Sequence, residues 1–186
     1  KNELKNQLAH YIVACDETKT AAKPPAKVSP YRGLYGLIFR IIRRFGHHHP
    51  SGNEPTPAES QYIVGFAGIW VLADEAHITN IAVRKSYQRR GLGELLLISL
   101  SDMAKELKAD IMTLEVRASN VTAQNLYCKY AFIHVGTRRG YYTDNREDGL
   151  IMSTESLASA SLRARLKQLK QAHRKKWGTA NRQLPI

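Results

Sequence analysis

The stretch VRKSYQRRGLGELLL, residues 83–97, decides how this chain is read. An apolar run ends at Val83, two arginines and two glycines follow, and an amphipathic run opens near Glu94. Gly91 and Gly93 let backbone N–H groups approach a partner with no Cβ in the way. A helix starting just beyond them adds the positive end of its dipole, and Arg89 and Arg90 add fixed charge of the kind phosphate takes. The turn therefore suits an anion, although a tight strand–helix turn without a ligand accounts for the same glycines. It is not a Walker A loop, because no Gly-Lys-Ser/Thr follows. Nor does it have the G-x-G-x-x-G spacing of a dinucleotide turn.

Working outward, the flanking segments read as alternating elements. Upstream lie the strands HYIVACD (10–16), QYIVGFAGIWVLAD (61–74) and AHITNIAV (76–83), with the end of a helix over residues 2–9. Downstream come the helix ELLLISLSDMAKELKA (94–109), the strand DIMTLEV (110–116) and the short helix TAQNLYCKYA (122–131). A strand and turn over 132–144 and a last strand over 149–156 complete the series. The order is sheet with helices set between strands, an α/β arrangement. No apolar run approaches the roughly 20 residues of a membrane span. Two cysteines, Cys15 and Cys128, make no disulfide framework, so a reducing, cytoplasmic setting is expected. The first residue is Lys1, and a native start upstream of it is expected.

Charge divides the chain. Lys and Arg number 28 against 16 Asp and Glu, a formal +12. Residues 19–60 hold seven basic and two acidic side chains, and residues 156–186 hold eight basic and none acidic. The remainder is close to neutral, so the basicity belongs to an insertion and a tail. The insertion contains a Pro/Ala/Lys linker, a segment at 31–46 with apolar residues at helical spacing, and a loop through His47, His48 and His49. Those histidines lack the spacing of a metal site, and no metal is expected. Residues 158–176 form an amphipathic basic helix with Leu162, Leu166 and Leu169 on one side. In both appendages a basic face lies beside an apolar stripe, which suits a ribosomal, RNA or anionic membrane surface, or packing on the domain itself.

Four motifs in order resemble one family. Q-x-x-G-x-G after an IAV strand (Gln88, Gly91, Gly93), LEVRASN (114–120), NLYCKYAF (125–132) and RRGYY (138–142) are similar to the GNAT N-acetyltransferase superfamily. Within it they resemble the bacterial ribosomal-protein-alanine N-acetyltransferases of the RimI type. The likeness is close over 61–153 and loose over 1–16. It implies a GNAT fold: a central mixed, mostly antiparallel sheet flanked by helices, splayed between its fourth and fifth strands to admit acetyl-CoA. The family's first strand has no counterpart after Lys1, so the fourth strand here is AHITNIAV. The expected organisation is a GNAT domain over 1–155, interrupted at about 19–60, and a basic helical tail over 156–186.

Acetyl transfer to an amine needs a neutral amine, a polarised thioester and a proton for the departing thiolate. Strand alternation puts Glu115 on one face with Thr113, opposite Leu114 and Val116. On physics alone it is a general base of raised pKa or a carboxylate paired with an arginine such as Arg117. The resemblance implies the base. Tyr127, ordinarily protonated at neutral pH, reads as a proton donor or a core aromatic, and the resemblance implies the donor. Cys128, a helix step away, reads as packing. Asn120 reads as an N-cap, and the resemblance adds a contact to the pantetheine arm. It also implies that Ile81, Ala82, Val83, Arg89, Arg90, Gly91, Leu92, Gly93 and Glu94 hold acetyl-CoA, and that Tyr141 and Tyr142 line the peptide groove.

An α-amino group is roughly a quarter neutral near pH 7.4 and a lysine about 0.1%, a difference of roughly 3.5 kcal/mol in favour of N-terminal acceptors. The expected function is transfer of acetyl to the N-terminal alanine of a ribosomal protein by direct attack. The alternatives are a lysine or broad-specificity acetyltransferase, and a non-catalytic CoA-responsive RNA- or ribosome-binding module. One departure from the family stands out: Ala131 replaces a helix-ending glycine.

Overall fold

The computed structural model describes residues 8–20 and 61–180. Six strands make one sheet: β1 (Ala9–Thr20), β2 (Gln61–Leu72), β3 (Glu75–Val83), β4 (Ile111–Arg117), β5 (Ile133–Tyr142) and β6 (Glu147–Ser153). Their spatial order is β1-β2-β3-β4-β6-β5. Three α-helices accompany them among the described residues: α1 (Leu92–Glu106), α2 (Val121–Lys129) and α3 (Ala160–Trp177). Neighbouring strands run antiparallel except β3 and β4, which are parallel. A parallel pair needs a crossover, and α1 supplies it. The expected α/β architecture, with a mixed and mostly antiparallel sheet, is the one found.

The core lies between the sheet and α1. Leu97, Ile98 and Leu100 of α1 are fully buried, with Ala67 and Ile69 of β2 and Ala76 of β3. On β4, Met112, Leu114 and Val116 are buried in this cluster. Period-2 alternation then sends Thr113, Glu115 and Arg117 to the other face.

The sheet opens in its middle. β3 and β4 pair from Glu75–Ile111 to Ile78–Leu114, and there the ladder ends. Beyond it, Ile81, Ala82 and Val83 stay paired to Ala67, Phe66 and Gly65 of β2, while β4 keeps pairing with β6 as far as Arg117–Gly149. The far edge of β3 after Ile78 thus faces no strand. This is the splay expected between the family's fourth and fifth strands.

The expected strand HYIVACD continues to Thr20, which pairs with Gln61. Residues 21–60 therefore leave and return at one point of the β1–β2 hairpin. The segment at 31–46, His47–His49 and the expected helix over 2–7 lie outside the described residues.

The C-terminal segment is a helix, as its leucine spacing predicts. Ser159 caps it, its Oγ accepting from the Leu162 N–H at 3.5 Å. Leu162 and Leu166 are buried in the same core as α1. Burying two leucines is worth about 3–6 kcal/mol, which settles their stripe on the domain and leaves neither side chain for a membrane. Arg165 donates to the carbonyls of Cys128 and Lys129 at 3.1 and 3.0 Å, closing the end of α2, and Lys170 pairs with Asp102 of α1. Of the expected packing and partner-binding readings of this stripe, packing holds.

Ala131 shows what the missing glycine entails. It follows α2 at φ 68°, in the left-handed region. The Phe132 N–H reaches the Tyr127 carbonyl at 3.1 Å and the Ala131 N–H reaches that of Cys128 at 3.1 Å. These are the two bonds of a Schellman ending, and the Tyr127 and Phe132 rings, 5.8 Å apart, make its hydrophobic contact. A left-handed alanine costs roughly 1–2 kcal/mol. Ala131→Gly should raise stability by about 1 kcal/mol, less than the full strain because glycine loses more chain entropy on folding. Urea denaturation measures it, with an unchanged m-value expected.

Candidate active site

The turn after β3 begins the site. Arg89 sits at φ 62° and Gly91 at φ 75°. Gly91 is the N-cap of α1, which starts at Leu92, two residues earlier than expected. Gln88 donates from Nε2 to the Val83 carbonyl at 3.2 Å, bracing the turn against the end of β3. Arg90 lays its guanidinium over the Tyr87 ring at 5.1 Å. The two glycines differ in purpose. At Gly91 a Cβ would fall 2.7 Å from the Trp177 ring and force a left-handed side chain. At Gly93 the nearest atom would be Leu126 Cδ2, at 3.8 Å, an ordinary contact. The protein's own packing accounts for the first glycine and not for the second.

Two residues at this turn escaped sequence reading. His173 of α3 is buried, and its Nε2 lies 3.0 Å from the Gly91 carbonyl. A carbonyl only accepts, so Nε2 carries the proton. Trp177, one helical turn on, roofs Gly91. Leucine spacing revealed that α3 has a packing face, but nothing local showed that the face ends on this turn.

Glu94, expected to hold the cofactor, has its carboxylate engaged already: Lys129 Nζ lies 2.5 Å from it and the Tyr130 hydroxyl 2.7 Å. Burial alone would raise its pKa, but these two hydrogen bonds hold it below the usual range. Asn120 is the N-cap of α2, its Oδ1 accepting from the Ala123 N–H at 3.2 Å. Ile81, Ala82 and Val83 lie along the open edge of β3. Among the described residues, one buried side-chain polar atom has no partner, Asn80 Oδ1, on that same stretch past the end of the ladder. An orphan acceptor at a strand edge with free backbone groups fits a ligand arm bearing amide N–H groups.

On β4, Glu115 lies on the face that alternation predicts, with its side chain only 6% exposed. Its partner is not Arg117. Arg138 of β5 reaches Oε1 at 3.1 Å, and His77 of β3 reaches Oε2 with Nε2 at 3.1 Å. Arg117 turns instead to Asp144 and Glu147, at 2.9 and 3.2 Å, and stacks on Tyr142 at 3.9 Å. Tyr142 donates to the backbone carbonyl of Glu115 at 3.5 Å and meets Tyr141 edge-on at 5.2 Å. Arg138 lies over the Tyr141 ring at 5.3 Å. Glu115 and both tyrosines of RRGYY are thus one cluster.

Tyr127 is partly buried against the core, and no hydrogen bond reaches its hydroxyl among the described residues. Burial first, and Tyr142 second, push its pKa up to about 12. Sequence reading took it as an ordinary tyrosine; its surroundings make it a weaker acid. Cys128, expected as packing, is exposed instead, one helix step from Tyr127.

A sheet splayed at a parallel pair, a glycine turn opening a helix at the splay, and a buried carboxylate beside it define an acetyltransferase fold of the GNAT type. Residues 32–132 match the acetyltransferase (GNAT) family, and the chain belongs to that family. It is 45% identical over 93 residues to the [ribosomal protein bS18]-alanine N-acetyltransferase of Escherichia coli K12, covering 49% of this chain and 63% of that protein. To the Haemophilus influenzae enzyme of the same name it is 40% identical over 98 residues, covering 51% and 66%. The crystal structure of the E. coli ribosomal-protein-S18-alanine N-acetyltransferase superposes with a TM-score of 0.50 at 33% identity, over 69% of this chain and 92% of that one. The chain spans about three-fifths of the E. coli sequence it matches. No helix among the described residues is long and apolar enough to cross a membrane.

Proposed function

We propose that this protein transfers acetyl from acetyl-CoA to the N-terminal α-amine of a protein, with alanine on a ribosomal protein as its acceptor. The observation that carries the reading is the buried Glu115 carboxylate, set with Tyr141 and Tyr142 beside the open edge of β3. Acetyl-CoA supplies the activated thioester. The backbone of 81–83, the turn at 89–93 and the Glu94-bearing first turn of α1 hold it, with Asn120 and the orphan Asn80 Oδ1 facing its amides. Residues up to 155 form the catalytic unit, and α3 is an accessory helix.

Glu115 takes the proton of the attacking amine, and Tyr141 and Tyr142 line the way in. Attack is direct, since among the described residues no base bonds the exposed Cys128. Tyr127 donates to the departing sulfur. Full transfer from a phenol near 12 to a thiolate near 8.5 is uphill by roughly 5 kcal/mol. Tyr127 therefore stabilises the thiolate chiefly by a hydrogen bond, and the sulfur takes its net proton from water. A tyrosine of ordinary pKa would lose its proton near pH 10; the raised value moves that loss upward. Turnover should accordingly hold its alkaline plateau through pH 10.5, measured with the acceptor amine fully neutral.

Mass spectrometry after incubation with acetyl-CoA tests the function. One peptide carries a free N-terminal alanine, and a second has a blocked N-terminus and internal lysines. Acetylation of the first alone is expected. Acetylation of the second alone would move the protein to the lysine class, and none on either would overturn the enzymatic reading.

A further inference from the structure

The basis is a hydrogen-bonded chain across β3 and β4, on the face of β4 away from α1. His77 and Thr113 are register partners in the parallel pair. His77 Nδ1 lies 2.9 Å from Thr113 Oγ1, and that hydroxyl donates to Glu75 Oε1. At the other side of the ring, Nε2 lies 3.1 Å from Glu115 Oε2. Exposure rises along the chain, from 6% at the Glu115 side chain through 31% at His77 to 45% at Glu75.

Counting protons fixes the state of the ring. A threonine hydroxyl has one hydrogen, and here Glu75 receives it. Thr113 Oγ1 must then accept from His77, so Nδ1 is the protonated nitrogen. A bare Nε2 would set its lone pair against the lone pairs of a carboxylate oxygen 3.1 Å away. One proton on that contact relieves the conflict, as imidazolium with carboxylate or as carboxylic acid with neutral imidazole.

We propose that Glu115 and His77 act as a single proton-holding pair, with Thr113 and Glu75 locking the ring so that Nε2 faces the carboxylate. This rests on the acetyltransferase reading above. Before each turnover the pair is empty: Glu115 is ionised and His77 is neutral with its proton on Nδ1. Glu115 accepts the proton that the amine sheds as its nitrogen bonds to the acetyl carbon. That proton settles between Oε2 and Nε2 and returns to water from the partly exposed ring before the next turnover. His77 is a positioning residue, acting through Glu115. The charged groups facing it are Glu75 on its own strand, Glu115 on β4 and, through Glu115, Arg138 on β5.

The sign of the pH dependence follows. A pair that already holds its proton has no place for the amine's, so activity falls as acid loads it. Without the imidazole the proton has no second site, and this acid loss is absent. The test is kcat/KM against pH from 5 to 9 on the alanine peptide, for wild type and His77→Gln. The amine's own ionisation is common to both and cancels in their ratio. The wild-type rate should exceed that of H77Q by about tenfold above pH 8, with the ratio closing toward the acid end of the range. A ratio independent of pH, with wild type active, would overturn the proposal and leave the acetyltransferase reading standing. A wild type inactive at every pH would overturn that reading, and the proposal with it. Nitrogen-15 NMR of the wild-type ring at about pH 8.5, where the pair is empty and the ring neutral, provides a readout free of folding defects in the variant. A protonated Nδ1 is expected, and a bare Nδ1 would overturn the proposal.

Discussion

Glu115→Gln should lower kcat/KM on an N-terminal alanine peptide by roughly a hundred- to ten-thousand-fold, the range a positioned general base contributes. Glutamine keeps the shape of the side chain and an oxygen for Arg138, but it cannot take a proton. The half-exposed Arg138 can turn to water, so the fold should survive. CoA affinity, measured by calorimetry, should be unchanged, because the glycine turn lies on other elements. Loss of activity with unchanged CoA binding assigns Glu115 to proton transfer. A decline of less than tenfold would remove it from that role.

Gly91→Ala should injure the fold and the cofactor turn together. At φ 75° a side chain costs roughly 1–2 kcal/mol, and the added Cβ would meet the Trp177 ring at 2.7 Å. Trp177 must then move, loosening the last turn of α3. A decrease in Tm of about 4 °C is expected for a chain of this size, with CoA binding weakened at least tenfold. Gly93→Ala supplies the contrast. Its Cβ would have ordinary room beside Leu126, so stability should hold. CoA affinity should still fall if the bare backbone at 93 is where a phosphate approaches. Equal stability and equal affinity for G93A would place the ligand elsewhere on the turn.

The sequence was most legible where a rule acts locally. Alternation in DIMTLEV put Glu115 opposite Leu114 and Val116, and it is there. A glycine pair before an amphipathic run marked the start of α1 to within two residues. Partners brought together by strand order were illegible. Arg138 reaches Glu115 because β6 lies between β4 and β5, and His77 reaches it through a parallel pairing that no local pattern encodes. Arg117, two residues from Glu115, looked the nearer partner in sequence, yet the acidic turn at Asp144 and Glu147 claims it. The tail was legible in part. Its charges suggested an outside partner and its leucine spacing a packing face; the buried Leu162 and Leu166 show the packing face and where it lies.

The pairing of Thr20 with Gln61 has a consequence for how such a chain can change over time. The hairpin is closed by its own strands, whose ends meet at that pair. Lengthening a flexible connection from two residues to roughly forty adds only about 2.6 kcal/mol of closure entropy. A domain with a modest stability reserve can absorb that without altering one contact around Glu115. Closure entropy alone therefore sets only a weak limit on how long a connection between those two strand ends can grow.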